Sequence, residues 1–184
     1  MQEDILAFWF GDRPGVDRAE WFRADAEFDD EIRRRFGPVI DAAIAGAYAD
    51  WNETPRGSLA RVIVLDQFTR NVFRGTPRAF AGDDLALATA RQAIARGFDA
   101  ALTPVERRFL YMPFQHSERL EVQRESLQLF ARLAAEGLTD PLRWAQHHHD
   151  IIARFGRFPH RNDTLGRVST PDEQSFLGTP GSRF

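Results

Sequence analysis

The chain contains neither cysteine nor lysine, and all 24 of its basic residues are arginine. The first absence removes disulfides, thiolate nucleophiles, cysteine-ligated zinc and ordinary iron–sulfur clusters. The second removes Schiff-base catalysis and the lysine of a phosphate-binding loop. Long apolar runs are missing as well, so no stretch approaches a membrane span. Residues 1–10 are acidic ahead of a short apolar stretch, the reverse of a secretory leader, and point to a cytoplasmic protein. Low-complexity tracts are absent. With 184 residues, 43% of them hydrophobic, the expectation is one globular domain over 1–184 with a core of its own.

Charge is unevenly spread. Residues 1–60 carry 13 acids against 7 arginines, and residues 61–184 carry 14 against 17. The small surplus in the second part suits anionic small molecules, while the net charge of -3 argues against a nucleic-acid partner. No membrane partner is expected, and oligomeric state is not legible.

What is present is helical punctuation. Thr54-Pro55, Thr76-Pro77, Thr103-Pro104, Asp140-Pro141 and Thr170-Pro171 each read as a helix start. The Thr or Asp oxygen can accept from orphan amides of the first turn, where proline loses an N–H that had no partner. Glu106 and Glu173 complete two capping boxes. Gly11, Gly97, Gly137, Gly156 and Gly178 each follow an apolar stretch and suit a left-handed C-terminal cap. Helices are predicted at 3–10, 25–36, 38–48, 55–72, 84–96, 104–111, 117–136, 141–155 and 171–177. Phe28, Ile32 and Phe36, then Ile40, Ile44 and Tyr48, recur at intervals of four and mark core faces. The Gly37-Pro38 junction predicts a kink or break between them. Val62-Ile63-Val64-Leu65 is strand-like in composition but lies inside a capped segment, so it reads as buried helix. The fold class is all-α, a compact bundle of helical hairpins.

Three segments carry a resemblance: Leu65 to Phe80 (LDQFTRNVFRGTPRAF), Phe109 to Glu118 (FLYMPFQHSE), and His148 to Asn162 with the trailing Leu165-Gly166-Arg167 and Ser169-Thr170. Together they resemble a family of uncharacterised bacterial proteins, the domain of unknown function numbered 924. The resemblance implies a compact fold of the tetratricopeptide-like superfamily. It implies no reaction, cofactor or catalytic residue. Thr69 stands where related sequences often have proline, a difference that bears on helix geometry more than on chemistry.

Four constellations could carry chemistry. Gln67, Arg70 and Asn71 fall on one helix face beside Asp66, either as a buried hydrogen-bond network or as a ligand-facing row. Gln115 and His116 precede Ser117 and Glu118, which read as an N-cap and a first-turn acid of the following helix. His116 beside a carboxylate could do acid–base work. His147, His148 and His149 cannot converge on one ion, because consecutive helical residues point about 100° apart. The resemblance singles out His148 and Asp150, and His147 and His149 read as exposed. No His-Glu-x-x-His or Glu-x-x-His pattern is present, and neither a metal nor a cofactor is expected. The run Arg154-Phe-Gly-Arg-Phe-Pro-His-Arg-Asn162 is explained in part by capping, with Gly156 as the left-handed cap and Pro159 as the stop. His160, Arg161 and Asn162 are not explained that way, and arginine suits carboxylate or phosphate.

The reading that follows is a protein that binds a small anionic ligand or an acidic peptide end. Its pocket would be formed by Gln67, Arg70, Asn71, Gln115, His116, His148, Arg157, His160 and Arg161. One alternative is a metal-independent hydrolase or lyase, with His116 or His160 as acid–base and Glu118 or Asp150 as the orienting carboxylate. Another is a protein-binding scaffold. Which of these holds depends on whether the distant segments meet in an accessible cavity.

Overall fold

The computed structural model describes residues 1–11, 16–21 and 23–182. Among them there is helix and turn but no strand. Helix α1 (Gln2–Phe10) ends at Gly11, whose φ of 66° lies in the left-handed region. Helix α2 (Ala26–Ile44) begins where the Asp25 carboxylate accepts from the Phe28 amide. The third helical segment opens at Thr54 and Pro55 as α3 (Pro55–Val62), widens into a π turn over Ile63–Phe68, and closes as α4 (Thr69–Val72). Helix α5 (Asp83–Ala95) follows a 3-10 turn at Pro77–Phe80. Helices α6 (Pro104–His116), α7 (Leu120–Ala135) and α8 (Asp140–Phe155) are joined by short loops, which makes neighbours of them. A 3-10 turn at Pro159–Arg161 leads to the short α9 (Pro171–Leu177).

The capping chemistry is largely as the sequence implies. Thr103 with Glu106 and Thr170 with Glu173 form complete capping boxes, and Thr54 accepts from the Gly57 amide. Three punctuation marks behave differently. Thr76 opens only the 3-10 turn at Pro77–Phe80, and its hydroxyl donates to the Phe73 carbonyl instead of capping. Asp140 is the first residue of α8 rather than its cap, so Pro141 falls one position further in. Gly178 adopts a right-handed φ of -81°, because α9 closes on ordinary turn bonds to Ser175 and Phe176.

The break expected at Gly37-Pro38 does not occur, and α2 runs through Pro38. A proline disfavours helix in the preceding residue chiefly by crowding its Cβ and N–H, and glycine has no Cβ. Continuity lets Phe28, Ile32, Phe36, Val39, Ile40 and Ala43 form one buried stripe. Helix α6 likewise passes Pro113 and reaches His116, since Pro113, Phe114 and Gln115 are all buried against neighbours. Ser117 therefore caps the end of α6 instead of starting α7, whose first-turn amides receive no side-chain cap.

Val62, Ile63, Val64 and Leu65 are all fully buried in helical conformation, so the strand-like composition reflects burial on every side. Around them an aromatic cluster of Trp9, Trp21, Phe28, Phe68 and Phe109 packs largely edge to face. A smaller cluster of Ile151, Ile152 and Phe158 forms where α8 meets the C-terminal turns. No helix among the described residues is long and apolar enough to cross a membrane.

Candidate functional site

The π turn places Asp66 at the centre of the molecule with no exposed surface. A π turn carries one more residue per turn than an α-helix and is frequent at functional positions. Oδ1 of Asp66 lies 2.7 Å from Nδ1 of His116 at the end of α6. Its other oxygen accepts from Gln67 Nε2 at 2.6 Å, and Arg70 Nη1 stands 3.1 Å from Oδ1. Arg70 also reaches Asp83 at the start of α5, 2.9 Å away.

Burial alone would raise the Asp66 pKa, but Arg70 and His116, with hydrogen bonds from His116 and Gln67, more than offset it and hold the carboxyl ionised. A carboxylate only accepts, so Nδ1 of His116 carries the proton. Burial pushes the His116 pKa below its ordinary value; Asp66 opposes this, while Arg70 and Arg161 reinforce it. At neutral pH the ring is therefore uncharged, and Nε2 is its basic nitrogen. No described residue bonds that Nε2.

His148, on α8, sits beside this pair, with ring centroids 6.3 Å apart. Its Nδ1 donates to the Trp144 carbonyl at 2.8 Å, so its Nε2 is also the acceptor nitrogen. Burial, then His116, drives the His148 pKa well below the usual histidine range. Arg161 completes the group from the Pro159–Arg161 turn. It donates to the His116 carbonyl at 3.0 Å, lies 3.5 Å from Asp83, and stacks between Phe80 and Phe158 at 4.7 and 4.5 Å from the ring centroids. Burial first, then Arg70, lowers its pKa to about 10, which still leaves it charged at neutral pH.

These groups border a cavity of about 650 Å³. Its polar wall includes Gln67, Arg70, Asn71, Gln115, His116, His148, His160 and Arg161, which are eight of the nine residues the sequence assigned to a pocket, together with Asp17, Arg23 and Asp140. Met112, Phe130, Pro141, Trp144 and Phe80 supply the apolar wall. Arg74 and Arg108 add charge and are held by Asp29 and Asp17. Gln115 is only 6% exposed, and its side-chain amide has no hydrogen-bond partner among the described residues. No serine, threonine or tyrosine lines the cavity among the described residues.

The ninth residue, Arg157, lies elsewhere. It bonds Glu173 through Nε at 2.6 Å and Nη2 at 2.8 Å, and so fastens α9 to the end of α8. Glu118 is committed to the Phe158 amide and to Arg167, and Asp150 to Gln146 and His149 at the surface. Neither orients His116 or His160; Asp66 orients His116. Asn162 is fully buried and serves the loop, bonding Ser169, Glu173 and Arg167. His147 and His149 are half-buried and bond the Gly181 carbonyl and Asp150. No cluster of three or more His, Asp or Glu suited to a metal occurs among the described residues.

Sequence reasoning missed Asp66 as the histidine partner and Trp144 as a wall. The second was within reach, because Trp144 and His148 stand at i and i+4 on α8 and share a face.

The fold and the site define a class: an all-helical protein whose buried Asp–Arg–His cluster opens into a cavity lined by arginine, glutamine and aromatic rings. Residues 5–181 match the family described as bacterial protein of unknown function (DUF924), and the chain belongs to that family. It is similar to the solved structure of a protein of unknown function from Agrobacterium tumefaciens, at 41% identity over 96% of each chain with a TM-score of 0.87. No curated protein matches the chain significantly.

Proposed function

We propose that the cavity binds a small organic anion with an apolar or aromatic body. The observation that carries this reading is the layering of charge. Among the described residues Arg23, Arg70, Arg74, Arg108 and Arg161 line the cavity against two carboxylates, Asp17 and Asp140, while Asp66 and Asp83, which hold Arg70 and Arg161, stand behind the wall. A ligand therefore meets more guanidinium than carboxylate. The unmatched Gln115 amide offers a further donor and acceptor, and Trp144, Phe130 and Met112 offer apolar contact. The volume suits a small molecule better than a peptide end, since ligand pockets run to about 300–1,000 Å³. A scaffold role is less well supported. The exposed large apolar residues among those described are Met1, Val16, Trp144 and Val168, which are spread along the chain. The hairpins of α6, α7 and α8 are in keeping with a tetratricopeptide-like arrangement.

The test is thermal unfolding and calorimetry with phenylacetate and phenyl phosphate, against the neutral 2-phenylethanol. Both anions should raise the melting temperature in a salt-sensitive way, and the alcohol should not. Gln115→Leu should leave the unliganded melting temperature unchanged or higher, because no protein bond is lost, and weaken anion binding about tenfold or more. Equal shifts with anion and alcohol, or none with either, would refute the reading.

A further inference from the structure

We infer that the Asp66–His116 pair is a general base that activates water for hydrolysis of an ester carrying a free acid group. This rests on the anion-binding reading above, because the arginines that hold the ligand flank the same histidine.

Three features of the geometry support it. The pair is oriented for proton transfer, since an ionised, fully buried carboxylate fixes the proton on Nδ1 and leaves Nε2 of His116 as acceptor, in a side chain that lines the cavity. Asp66 is itself fixed, by Gln67 on one oxygen and Arg70 on the other, so it can stabilise an imidazolium without taking its proton. Finally, no hydroxyl side chain lines the cavity among the described residues and the chain has no thiol, which removes the serine, threonine and cysteine nucleophiles and favours water.

The base is a neutral imidazole, because burial holds its pKa below the ordinary histidine value. It is suited to taking a proton from water whose acidity rises as the oxygen bonds to carbon. Water adds to the ester carbonyl, and its proton passes to Nε2 of His116. The tetrahedral oxyanion, for which the Gln115 amide is a donor lining the same cavity, then collapses with cleavage of the C–O bond to the leaving alkoxide. His116 returns the proton to that oxygen, so ester and water become acid and alcohol with the pair restored. Arg70 or Arg161 holds the remote acid group.

The experiment uses mono-4-nitrophenyl succinate as the anionic ester and 4-nitrophenyl acetate as the neutral one, with phenylacetate binding measured in parallel. The wild-type protein should hydrolyse the anionic ester faster. His116→Gln should lower that rate by about 10²–10⁴-fold while phenylacetate affinity changes by no more than a few fold. Asp66→Asn should also lower it, and His116→Gln remains informative should the buried Asp66 variant misfold. In water labelled with oxygen-18, a single turnover should place the label in the acid product with no acyl-protein detected. The rate should rise as His116 loses its proton and reach a plateau by neutral pH; the groups facing the ring are Asp66, Arg70, His148 and Arg161. Phenylacetate binding without ester turnover would overturn the catalytic inference and leave the binding reading intact. Turnover untouched by His116→Gln, or an acyl-histidine intermediate, would also overturn it. Failure of phenylacetate to bind, with turnover dependent on His116, would refute the binding reading and keep the catalytic one.

Discussion

A Cβ placed on Gly82 would stand 2.1 Å from the carbonyl oxygen of Leu65. Glycine is thus what allows the start of α5 to lie against the π turn, and the next residue, Asp83, is the one that grips Arg70 and Arg161. The atom met is backbone inside a buried helix, so nothing nearby can swing aside. Gly82→Ala should destabilise the fold by about 3 kcal/mol, at the upper end of overpacking costs. Urea unfolding is the check, and a midpoint equal to the parent's would show that the two segments are not this close.

Gly156→Ala isolates a different effect. Here φ is 69° and an added Cβ meets no atom within 4 Å, so only backbone strain is introduced. The expected loss is about 1 kcal/mol, with anion binding unchanged. A loss as large as that at Gly82 would show that the end of α8 is more crowded than this geometry allows.

Acid should destabilise the protein in a window set by its buried histidines. His116 and His148 have folded pKa values below the ordinary 6.5, so the unfolded chain takes up protons first as pH falls. Their neutral burial costs nothing above pH 6.5, and stability declines as pH falls below that value, by at most about 1.4 kcal/mol per pH unit for each ring. His148→Gln should flatten the slope measured between pH 6.5 and 5. An unchanged slope would mean that His148 is not held neutral.

Asp66→Ala should cost about 3–5 kcal/mol, the range for removing one partner of a buried ion pair. Arg70 keeps Asp83, but Nδ1 of His116 loses its acceptor, and nitrogen-15 NMR should show its tautomer preference relaxing. Full stability in this variant would contradict the burial of the pair.

Arg157→Ala should lower the melting temperature without altering anion affinity, since its partner is Glu173 and not the cavity. The hydrogen bond from Arg157, helped by the Thr170 amide, holds the Glu173 pKa at about 2. A depressed carboxyl stabilises the fold above its ordinary value of 4.5, and the contribution fades as pH falls toward 2. The variant should therefore lose less stability between pH 4.5 and 2 than the parent does. A change in anion affinity would place Arg157 back at the site.

The parts of this molecule that were legible in its sequence are those whose causes are local. Thr54, Thr103 and Thr170 announce helix starts because the cap is made three residues away, and Gly156 announces an end for the same reason. Eight of the residues that the sequence grouped together do line one cavity, since polar side chains amid apolar ones need partners or water. The pairing of Asp66 with His116 was not legible, because it spans fifty residues and depends on how α6 crosses the π turn. Glu118 lay two positions from His116 and looked the better candidate, yet its carboxylate is spent on Phe158 and Arg167. The π winding was invisible as well: a segment buried on all sides shows no period from which 3.6 could be told apart from a wider turn.

That winding has a consequence for how the chain can vary in length. Because a π turn holds one residue more than an α turn, removing one residue between Ile63 and Phe68 would let the segment close as ordinary α-helix with Arg70 and Asn71 in nearly the same register relative to α3. A second deletion would find no such slack and would turn Arg70 and Asn71 by about 100°, away from the cavity they line. The wide turn is thus a place where this buried segment could shed a residue without moving the site, losing only the extra side chain that the turn carries.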